Sequence, residues 1–310
     1  MIMKSLDGKP QNGKPQNEKP QNTGVLAEKA RLLHLRARTL SDSFHSGSSR
    51  SFYKGRGADF AGVREYLWGD DVRSIDWNVT ARMGKPFIKL FEENRELILF
   101  VVVDMSASMD GGAEGKSRLD TAAETASLLI LSSLYNAGPV GAVFFDGEIL
   151  FSAAPKNKKD HAMLLFTKVN AVPPREKEGT ALAQALRGAS KLLKNRSLVA
   201  VISDFRCGGY EEELALLSHK HETVGIHISD PFDEEIPSCG GLPVSDTESG
   251  MRTVLPTSSE PFKREWKNFH RRHTERLQSV FLRRGASYMN ISVKDDPLYE
   301  LMRFFSSRDW

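Results

Sequence analysis

Three short side chains that carry oxygen follow a run of apolar residues in the first half of the chain. Residues 97–109 read LILFVVVDMSASM, so Asp104, Ser106 and Ser108 stand at alternate positions after that run. Such a run is typical of a parallel strand buried on both faces, and ligands of open α/β sheets bind beyond the carboxyl ends of these strands. A carboxylate with hydroxyl neighbours suits a hard cation such as Mg2+. The alternative is a polar loop whose serines cap the next helix.

A second acidic residue ends another apolar run. The sequence LVAVISD ends at Asp204 and repeats the first pattern of aliphatic residues followed by an acid. Neighbouring parallel strands present their carboxyl ends at one edge of a sheet, so we expect Asp204 to lie near Asp104. Thr180 precedes a predicted helix, where it serves either a ligand site or an ordinary amino-terminal cap. Together these patterns predict one metal site with two carboxylates and three hydroxyls: Asp104, Ser106, Ser108, Thr180 and Asp204.

The elements that must position this site alternate in type from residue 97 onward. Apolar strand-like runs and helical patterns follow one another, which predicts a doubly wound, mostly parallel α/β sheet with helices on both faces. The predicted strands are 97–103, 140–145, 149–151, 198–203, 223–228 and 288–293. The predicted helices are 119–135, 181–194, 211–219, a long one after Ser259, and 297–305.

Two further patterns accompany these elements. The pair Asp146 and Gly147 predicts a hairpin turn, and a second hairpin is expected to turn near 248–250. Apolar residues recur at helical spacing along the long helix, and we expect this stripe to lie in the core rather than at a cofactor. The stripe consists of Phe262, Trp266, Phe269, Leu277 and Phe281.

The chain divides by composition into four segments. Residues 1–24 hold the repeat GKPQN, GKPQN, EKPQN and are predicted to form a disordered tail. Residues 25–51 predict an amphipathic helix followed by a Ser/Gly-rich linker. Residues 52–95, dense in Arg, Asp, Gly and aromatic residues, predict a small β-rich segment. Residues 96–310 are expected to form the α/β domain with a helix-strand-helix extension at its end.

The β-rich segment also carries charged residues whose role the sequence leaves open. Arg64, Arg73, Asp76 and Arg82 form either a buried ion network or a docking face. We expect the structural role, although a buried ion pair by itself is weak support for stability.

Bulk composition narrows the range of functions and cellular settings that we expect. The 310 residues include 43 Lys plus Arg and 40 Asp plus Glu, a net charge of +3 that does not indicate nucleic-acid binding. Two cysteines, Cys207 and Cys239, in a chain of this size favour a reducing, cytoplasmic setting. No apolar run approaches the roughly 20 residues that cross a bilayer, so no integral membrane segment is expected.

The five predicted site residues match a known pattern. The chain resembles the von Willebrand factor A fold, whose metal-ion-dependent adhesion site uses D-x-S-x-S, a later Thr and a later Asp. The resemblance implies that Ser106, Ser108 and Thr180 bind Mg2+ (or Mn2+) directly, and that Asp104 and Asp204 bind directly or through water. It also implies that a carboxylate from a partner protein completes the metal coordination.

The segment before the sheet narrows the resemblance further. This segment is similar to the signature of the bacterial domain of unknown function 58 family, in which the signature precedes a von Willebrand factor A-like domain. Its sequence is GRGADFAGVREYLWGDDVRSIDWNVTARMGKPFIKLFEENRE. The resemblance covers about residues 55–230 and implies association with a MoxR-type AAA ATPase. The function implied is that of a chaperone-like adaptor that assembles or matures target complexes. The chain differs from some members of that family in its repeated tail and in its lack of membrane segments.

Non-enzymatic binding is the expected function, because no His or Lys in the motif segments is placed to activate a water or a serine. Hydrolysis by the metal alone remains an alternative. A P-loop-like nucleotide site is another, because GGAEGKS at 111–117 lies between a strand and a helix. Asp110, however, stands where the P-loop needs glycine.

Three further kinds of site match the sequence less well. Cys207, His219, His221, His227 and Cys239 match no common zinc spacing. His270 and His273 lie one helical turn apart, on what we expect to be a solvated face. An aspartyl phosphatase with Asp104 as nucleophile generally has an acid two residues later, where this chain has Ser106.

Overall fold

A computed structural model describes residues 59–92, 97–113, 115–171, 181–245 and 252–306. The described residues from Leu97 onward belong to one compact unit, and residues 59–92 belong to another. The segments predicted as a tail (1–24) and as a helix with a linker (25–51) lie outside the described residues. Of the helices that the structure describes, none combines the length and the apolar character needed to cross a bilayer.

The small unit is an antiparallel strand pair with a helix in the connection between its two strands. Strands β1 (Asp59–Glu65) and β2 (Phe87–Glu92) pair, and helix α1 (Trp77–Met83) lies between them in sequence. Asp76 caps α1 by accepting hydrogen bonds from two backbone N–H groups of its first turn. The sequence patterns predicted a β-rich segment here and did not predict this helix.

The arginines of the small unit do not form one buried network. Arg64 makes a two-pronged ion pair with Asp70, with N···O distances of 2.7 and 2.8 Å, whereas Asp76 caps a helix. Arg73 and Arg82 are exposed. The preferred expectation of a buried ion network is therefore wrong for these residues.

The main unit is built on one six-stranded sheet. Its strands in chain order are β3 (Leu99–Asp104), β6 (Val140–Phe145), β7 (Ile149–Lys156), β8 (Leu198–Ser203), β9 (Glu222–Ser229) and β12 (Ser287–Ser292). Their spatial order is β12-β9-β8-β3-β6-β7, and all neighbours are parallel except β7, which pairs antiparallel with β6. The doubly wound, mostly parallel sheet is therefore confirmed.

Two short antiparallel pairs stand apart from this sheet. Strands β4 (Gly112–Ala113) and β5 (Lys116–Ser117) form the first pair. Strands β10 (Gly241–Ser245) and β11 (Arg252–Pro256) form the second, in the region where a hairpin was expected. The expected turn at 248–250 lies outside the described residues.

Helices cover both faces of the main sheet. They are α2 (Arg118–Tyr135), α3 (Lys159–Val169), α4 (Leu182–Leu192), α5 (Glu211–Lys220), α6 (Pro231–Glu234), α7 (Glu260–Arg283) and α8 (Pro297–Ser306). Side chains of α2, α3 and α8 pack against one face, and those of α4, α5 and α7 against the other. Successive residues of β3 alternate between the two layers, Val101 and Val103 on one side and Phe100 and Val102 on the other, and all four are fully buried.

Helix α7 is longer than the sheet against which it packs. Its 24 residues span about 36 Å, whereas a six-residue strand covers about 20 Å. Leu277 and Phe281 are buried in the core, and Gly225 of β9 makes room for the Phe281 ring, since a Cβ there would overlap it. The first half of α7 extends past the carboxyl edge of the sheet, where Trp266 Nε1 donates a hydrogen bond to the Phe232 carbonyl (2.8 Å).

The overhang of α7 changes the interpretation of its apolar stripe. Leu277 and Phe281 are core residues, as expected, but Trp266 is only half-buried and Phe269 is exposed. The expectation that the whole stripe lies in the core is therefore wrong for the first half of the helix.

Candidate functional site

The first part of the candidate site is the turn that leaves strand β3. Asp104 is the last residue of β3 and is buried, with 1% of its surface exposed. Its Oδ1 accepts a hydrogen bond from the Ser106 N–H (2.9 Å), which folds the chain back on itself and leads into a 3-10 turn at Ala107–Asp110. This turn places the hydroxyls of Ser106 and Ser108 3.1 Å apart.

The second part is the turn that leaves strand β8. Asp204 directly follows β8 and is also buried. Its Oδ1 accepts the Arg206 N–H (3.1 Å). Its Oδ2 is buried and receives no hydrogen bond from the residues that the structure describes; the Arg206 Nε lies 3.6 Å away. An unsatisfied, buried carboxylate oxygen is costly, so this atom is available to a ligand.

Backbone strain marks the same turn. Phe205 has φ = 50°, in the left-handed region that side chains other than glycine rarely adopt. Its buried ring packs edge-on against Phe281, with ring centroids 5.0 Å apart. Because this packing holds Phe205 in place, it also fixes the position of its neighbour Asp204.

Ser203 joins the two turns, and the sequence patterns did not single it out. Its Oγ donates a hydrogen bond of 2.6 Å to Asp104 Oδ2 and accepts the Phe205 N–H at 2.9 Å. Strands β3 and β8 pair in parallel register up to Val103 and Ile202, so the next residues along, Asp104 and Ser203, lie side by side. The register of the two aliphatic runs was the signal that could have identified Ser203.

The surroundings of Asp104 affect its charge. Burial, and after it the nearby charge of Asp204, raise the pKa of Asp104 from its usual value near 4 to about 7. Hydrogen bonds from Ser106 and Ser203 only partly oppose this rise. A divalent cation between the two carboxylates would remove the repulsion and favour the ionised form of Asp104.

The structure thus brings together four of the five residues predicted to form the site: Asp104, Ser106, Ser108 and Asp204. Thr180 lies outside the described residues, which resume at Ala181. The Ala181 N–H donates to the Asp146 carbonyl (2.6 Å), and helix α4 begins at the next residue.

The alternative metal sites receive no support from the described part of the chain. There, no three side chains of the types His, Cys, Asp and Glu lie close enough together to hold a metal ion. Cys207 and Cys239 do not form a disulfide. Any metal at Asp104 and Asp204 would therefore also need hydroxyl or water oxygens, which suits hard cations such as Mg2+.

An ion-pair network adjoins the candidate site, and the sequence patterns did not predict it. Arg118, at the start of α2, donates to the Ser108 carbonyl (3.2 Å), and its Nη2 lies 3.2 Å from Asp233 and 3.6 Å from Asp230. Arg206 donates to Asp233 Oδ1 at 2.6 Å. Although burial opposes ionisation, Arg206 and Arg118 lower the pKa of Asp233 to about 2.

The two histidines on α7 lie beside this network instead of on a solvated face. His270 is 14% exposed and stands 3.8 Å from Asp233, and His273 Nε2 is buried without a hydrogen-bond partner among the described residues. Burial lowers the pKa of His270 to about 4, so its ring is uncharged at neutral pH. The expectation of a solvated face is wrong for these residues.

The segment that resembles a P-loop has a different structure. Residues Gly112–Ala113 and Lys116–Ser117 form the small β4–β5 pair, and Ser117 with Asp120 forms a capping box at the start of α2. Lys116 Nζ donates to Glu124 Oε2 at 2.8 Å. Its charge is therefore matched within the chain, which gives no support to a phosphate-binding role.

The main unit is an α/β domain whose mostly parallel six-stranded sheet is followed by polar turns after β3 and β8. The chain belongs to the family described as "Protein of unknown function DUF58", whose profile matches residues 62–276. An uncharacterised protein of Mycobacterium tuberculosis is 28% identical over 289 residues, which cover 91% of this chain and 90% of that protein.

Solved structures of low sequence identity also match this chain. The crystal structure of conserved hypothetical protein BatB from Bacteroides thetaiotaomicron covers 68% of this chain and 98% of its own, at 16% identity and a TM-score of 0.45. The crystal structure of the SpRpn10 VWA domain covers 68% of this chain and 95% of its own, at 11% identity and a TM-score of 0.35.

Proposed function

We propose that this protein is a non-enzymatic adaptor that binds protein partners through a metal ion held at the turns after β3 and β8. One observation carries the proposal: two buried carboxylates, Asp104 and Asp204, face the same site, and Asp204 Oδ2 has no hydrogen-bond donor among the described residues. Arg206 Nε lies 3.6 Å from Asp204 Oδ2, but no ion pair of this kind reaches Asp104 among the described residues; two buried acids placed in this way favour a bound cation.

The residues present fit a small hard cation, Mg2+ or Mn2+. Ser106, Ser108 and, by the family resemblance, Thr180 supply hydroxyl oxygens, and Asp104 and Asp204 supply carboxylates directly or through water. A metal held this way keeps a coordination position for an incoming oxygen ligand. A carboxylate from a partner protein, an Asp or a Glu, is the natural occupant of that position.

Binding is favoured over catalysis by the local contacts. The hydroxyls of Ser106 and Ser108 hydrogen-bond to each other, and no described His or Lys side chain hydrogen-bonds to either of them. A nucleophilic serine needs a base within hydrogen-bond reach, and a general base needs the same proximity to water. Recognition of a carboxylate requires neither.

Protein interaction is also supported by the small unit. Five large apolar side chains between residues 67 and 83 are each more than 60% exposed: Leu67, Trp68, Val72, Trp77 and Met83. Exposed apolar groups typically mark a surface that binds other proteins where they form one contiguous patch. The family resemblance suggests a MoxR-type AAA ATPase as one partner, with a target protein that carries an acidic residue as the other.

Calorimetric titration of the purified chain with Mg2+ and with Mn2+ tests the metal site. We expect saturable binding that is lost in Asp104→Ala and in the double variant Ser106→Ala with Ser108→Ala, while circular dichroism shows an unchanged fold. Asp160→Ala, which removes an exposed carboxylate at the start of α3, is the matched control and should bind as the wild type does. Equal affinity in all variants would contradict the site assignment.

Capture of a MoxR-type ATPase or an acidic target by the immobilised chain, with and without a chelator, tests the partner. We expect capture to require the metal and to be lost in Asp104→Ala. Saturable ATP hydrolysis that disappears in Lys116→Ala would contradict the adaptor proposal and favour the nucleotide-binding alternative.

A further inference from the structure

A groove of about 580 Å3 opens beside the candidate metal site in the main unit. This volume lies within the range of about 300–1,000 Å3 that is typical of ligand sites. One end of the groove is formed by Asp110 and Gly111, which follow Ser108, and by Arg206, two residues after Asp204. Two arginines that line the groove contact the candidate metal site: Arg206 Nε lies 3.6 Å from Asp204 Oδ2, and Arg118 donates to the Ser108 carbonyl at 3.2 Å.

The far wall of the groove is apolar because of how the β10–β11 pair alternates. Leu242 pairs with Leu255 across the two strands, and both side chains line the groove. Val244, two residues after Leu242, points to the same side, whereas Val254 points away and is 63% exposed. The pair thus presents one apolar face to the groove without joining the main sheet.

Helix α7 supplies the aromatic side of the groove. Because its first half extends past the sheet, Trp266 and Phe269 line the groove instead of the core. Phe269 is 66% exposed at the mouth and stands edge-on to His270, with ring centroids 5.3 Å apart. An exposed aromatic side chain that lines a pocket offers a large apolar area for a partner to bury.

The polar part of the groove contains charged side chains that are paired with one another. Arg118 and Arg206 are paired with Asp230 and Asp233, and His270 is uncharged at neutral pH because burial lowers its pKa to about 4. Charges that are already paired give no net attraction to a charged side chain, and the apolar walls make desolvation of such a group costly. A metal ion at Asp104 and Asp204 would be the element that attracts an acidic ligand.

We infer that this groove receives a large apolar side chain of the protein partner, close in its sequence to the Asp or Glu that binds the metal. The groove then selects among acidic segments, since the metal alone accepts any carboxylate. This inference rests on the proposed function, because the metal anchors the neighbouring residue. The ligand class is an acidic segment of a protein with a nearby Phe, Leu or similar residue.

Selection from a library of short random peptides, each with one fixed Asp or Glu, tests the inference on the full chain in the presence of Mg2+. We expect the retained peptides to carry a large apolar residue within a few positions of the fixed acid. Phe269→Ser should weaken their retention about tenfold, because an aromatic contact with the bound apolar side chain is lost. Leu282→Ser is the matched control, since Leu282 is exposed on the same helix but does not line the groove.

The outcomes separate the inference from the proposed function. Mg2+-dependent retention of acidic peptides without any apolar preference, unchanged by Phe269→Ser, would overturn the groove inference and leave the proposed function standing. Retention that is unchanged by Asp104→Ala and by a chelator would overturn the proposed function. It would also overturn the link between the groove and the metal. A library from which nothing is enriched would overturn the inference as well.

Discussion

Ser203 Oγ donates a 2.6 Å hydrogen bond to Asp104 Oδ2 and thereby links the ends of two neighbouring strands, β8 and β3. The same oxygen accepts the Phe205 N–H, so one hydroxyl fixes the orientation of Asp104 and the backbone that follows Asp204. Both carboxylates of the proposed metal site are therefore positioned by a residue that is not itself a predicted ligand.

Ser203→Ala should weaken Mg2+ binding without abolishing it. The variant removes a hydrogen bond that lowers the pKa of Asp104, so the carboxylate becomes harder to ionise, and it leaves the Phe205 N–H without its acceptor. We expect a loss of unfolding free energy of about 1–3 kcal/mol in urea titrations. Ser203→Thr keeps the hydroxyl and should restore most of the calorimetric affinity; no difference between Ala and Thr would contradict this role for the hydroxyl.

Without metal, Asp104 should make the protein less stable as the pH rises. Its pKa is about 7 in the folded chain and about 3.9 when unfolded, so between those values the folded state holds a proton that the unfolded state has released. This contribution is fully present below pH 4 and is lost as the pH rises through 7, with a slope of at most about 1.4 kcal/mol per pH unit.

The difference in unfolding free energy between wild type and Asp104→Asn isolates that contribution from other titrating groups. In EDTA the wild type should lose stability relative to the variant from pH 4 to 7. Adding Mg2+ should reverse the loss in the wild type alone, because the cation binds the ionised carboxylate. A difference that does not change with pH would show that Asp104 keeps an ordinary pKa.

The sequence predicted the sheet well because its strands are continuous aliphatic runs bounded by polar residues. Strand β8 was predicted at its observed bounds, Leu198–Ser203. Helix α3 (Lys159–Val169) was missed, and its first residue follows Lys158, which provides no side-chain cap. The exposure of Phe269 could not be predicted, because helical periodicity does not reveal how far a helix extends past its sheet.

The site was predictable where its residues follow strand ends and unpredictable where it depends on side chains that meet across the fold. Asp104 and Asp204 each end a recognisable apolar run. The contacts of Arg118 with Asp233 and of Ser203 with Asp104 join residues 115 and 99 positions apart, respectively, and require the strand register and the path of the chain after β9. No local pattern encodes those distances.

Arg118→Met should destabilise the protein by about 3–5 kcal/mol, because it removes the ion-pair partner of the buried Asp230 and one of two cations from Asp233. Arg118 is almost fully buried, so solvent does not replace the lost contacts. Arg187→Met is the matched control: its pair with Glu213 is exposed on the arginine side, and the expected cost is about 0–1 kcal/mol. Equal losses in urea unfolding would mean that Arg118 contributes no more than a surface ion pair does.

Two glycine substitutions should change stability in opposite directions. Gly225 lies buried in β9 against the ring of Phe281, so the Cβ of Gly225→Ala would force that ring and helix α7 to shift, at a cost of about 1–3 kcal/mol. Gly188 lies inside helix α4 with open space at its Cβ position, so Gly188→Ala should gain about 0.5–1 kcal/mol from helix propensity. Thermal and urea unfolding measure both variants.

Because α7 also carries Trp266 and Phe269, Gly225→Ala should weaken the retention of groove-binding peptides, whereas Gly188→Ala should not. A stable Gly225→Ala protein that retains these peptides as the wild type does would contradict the close packing of α7 on β9.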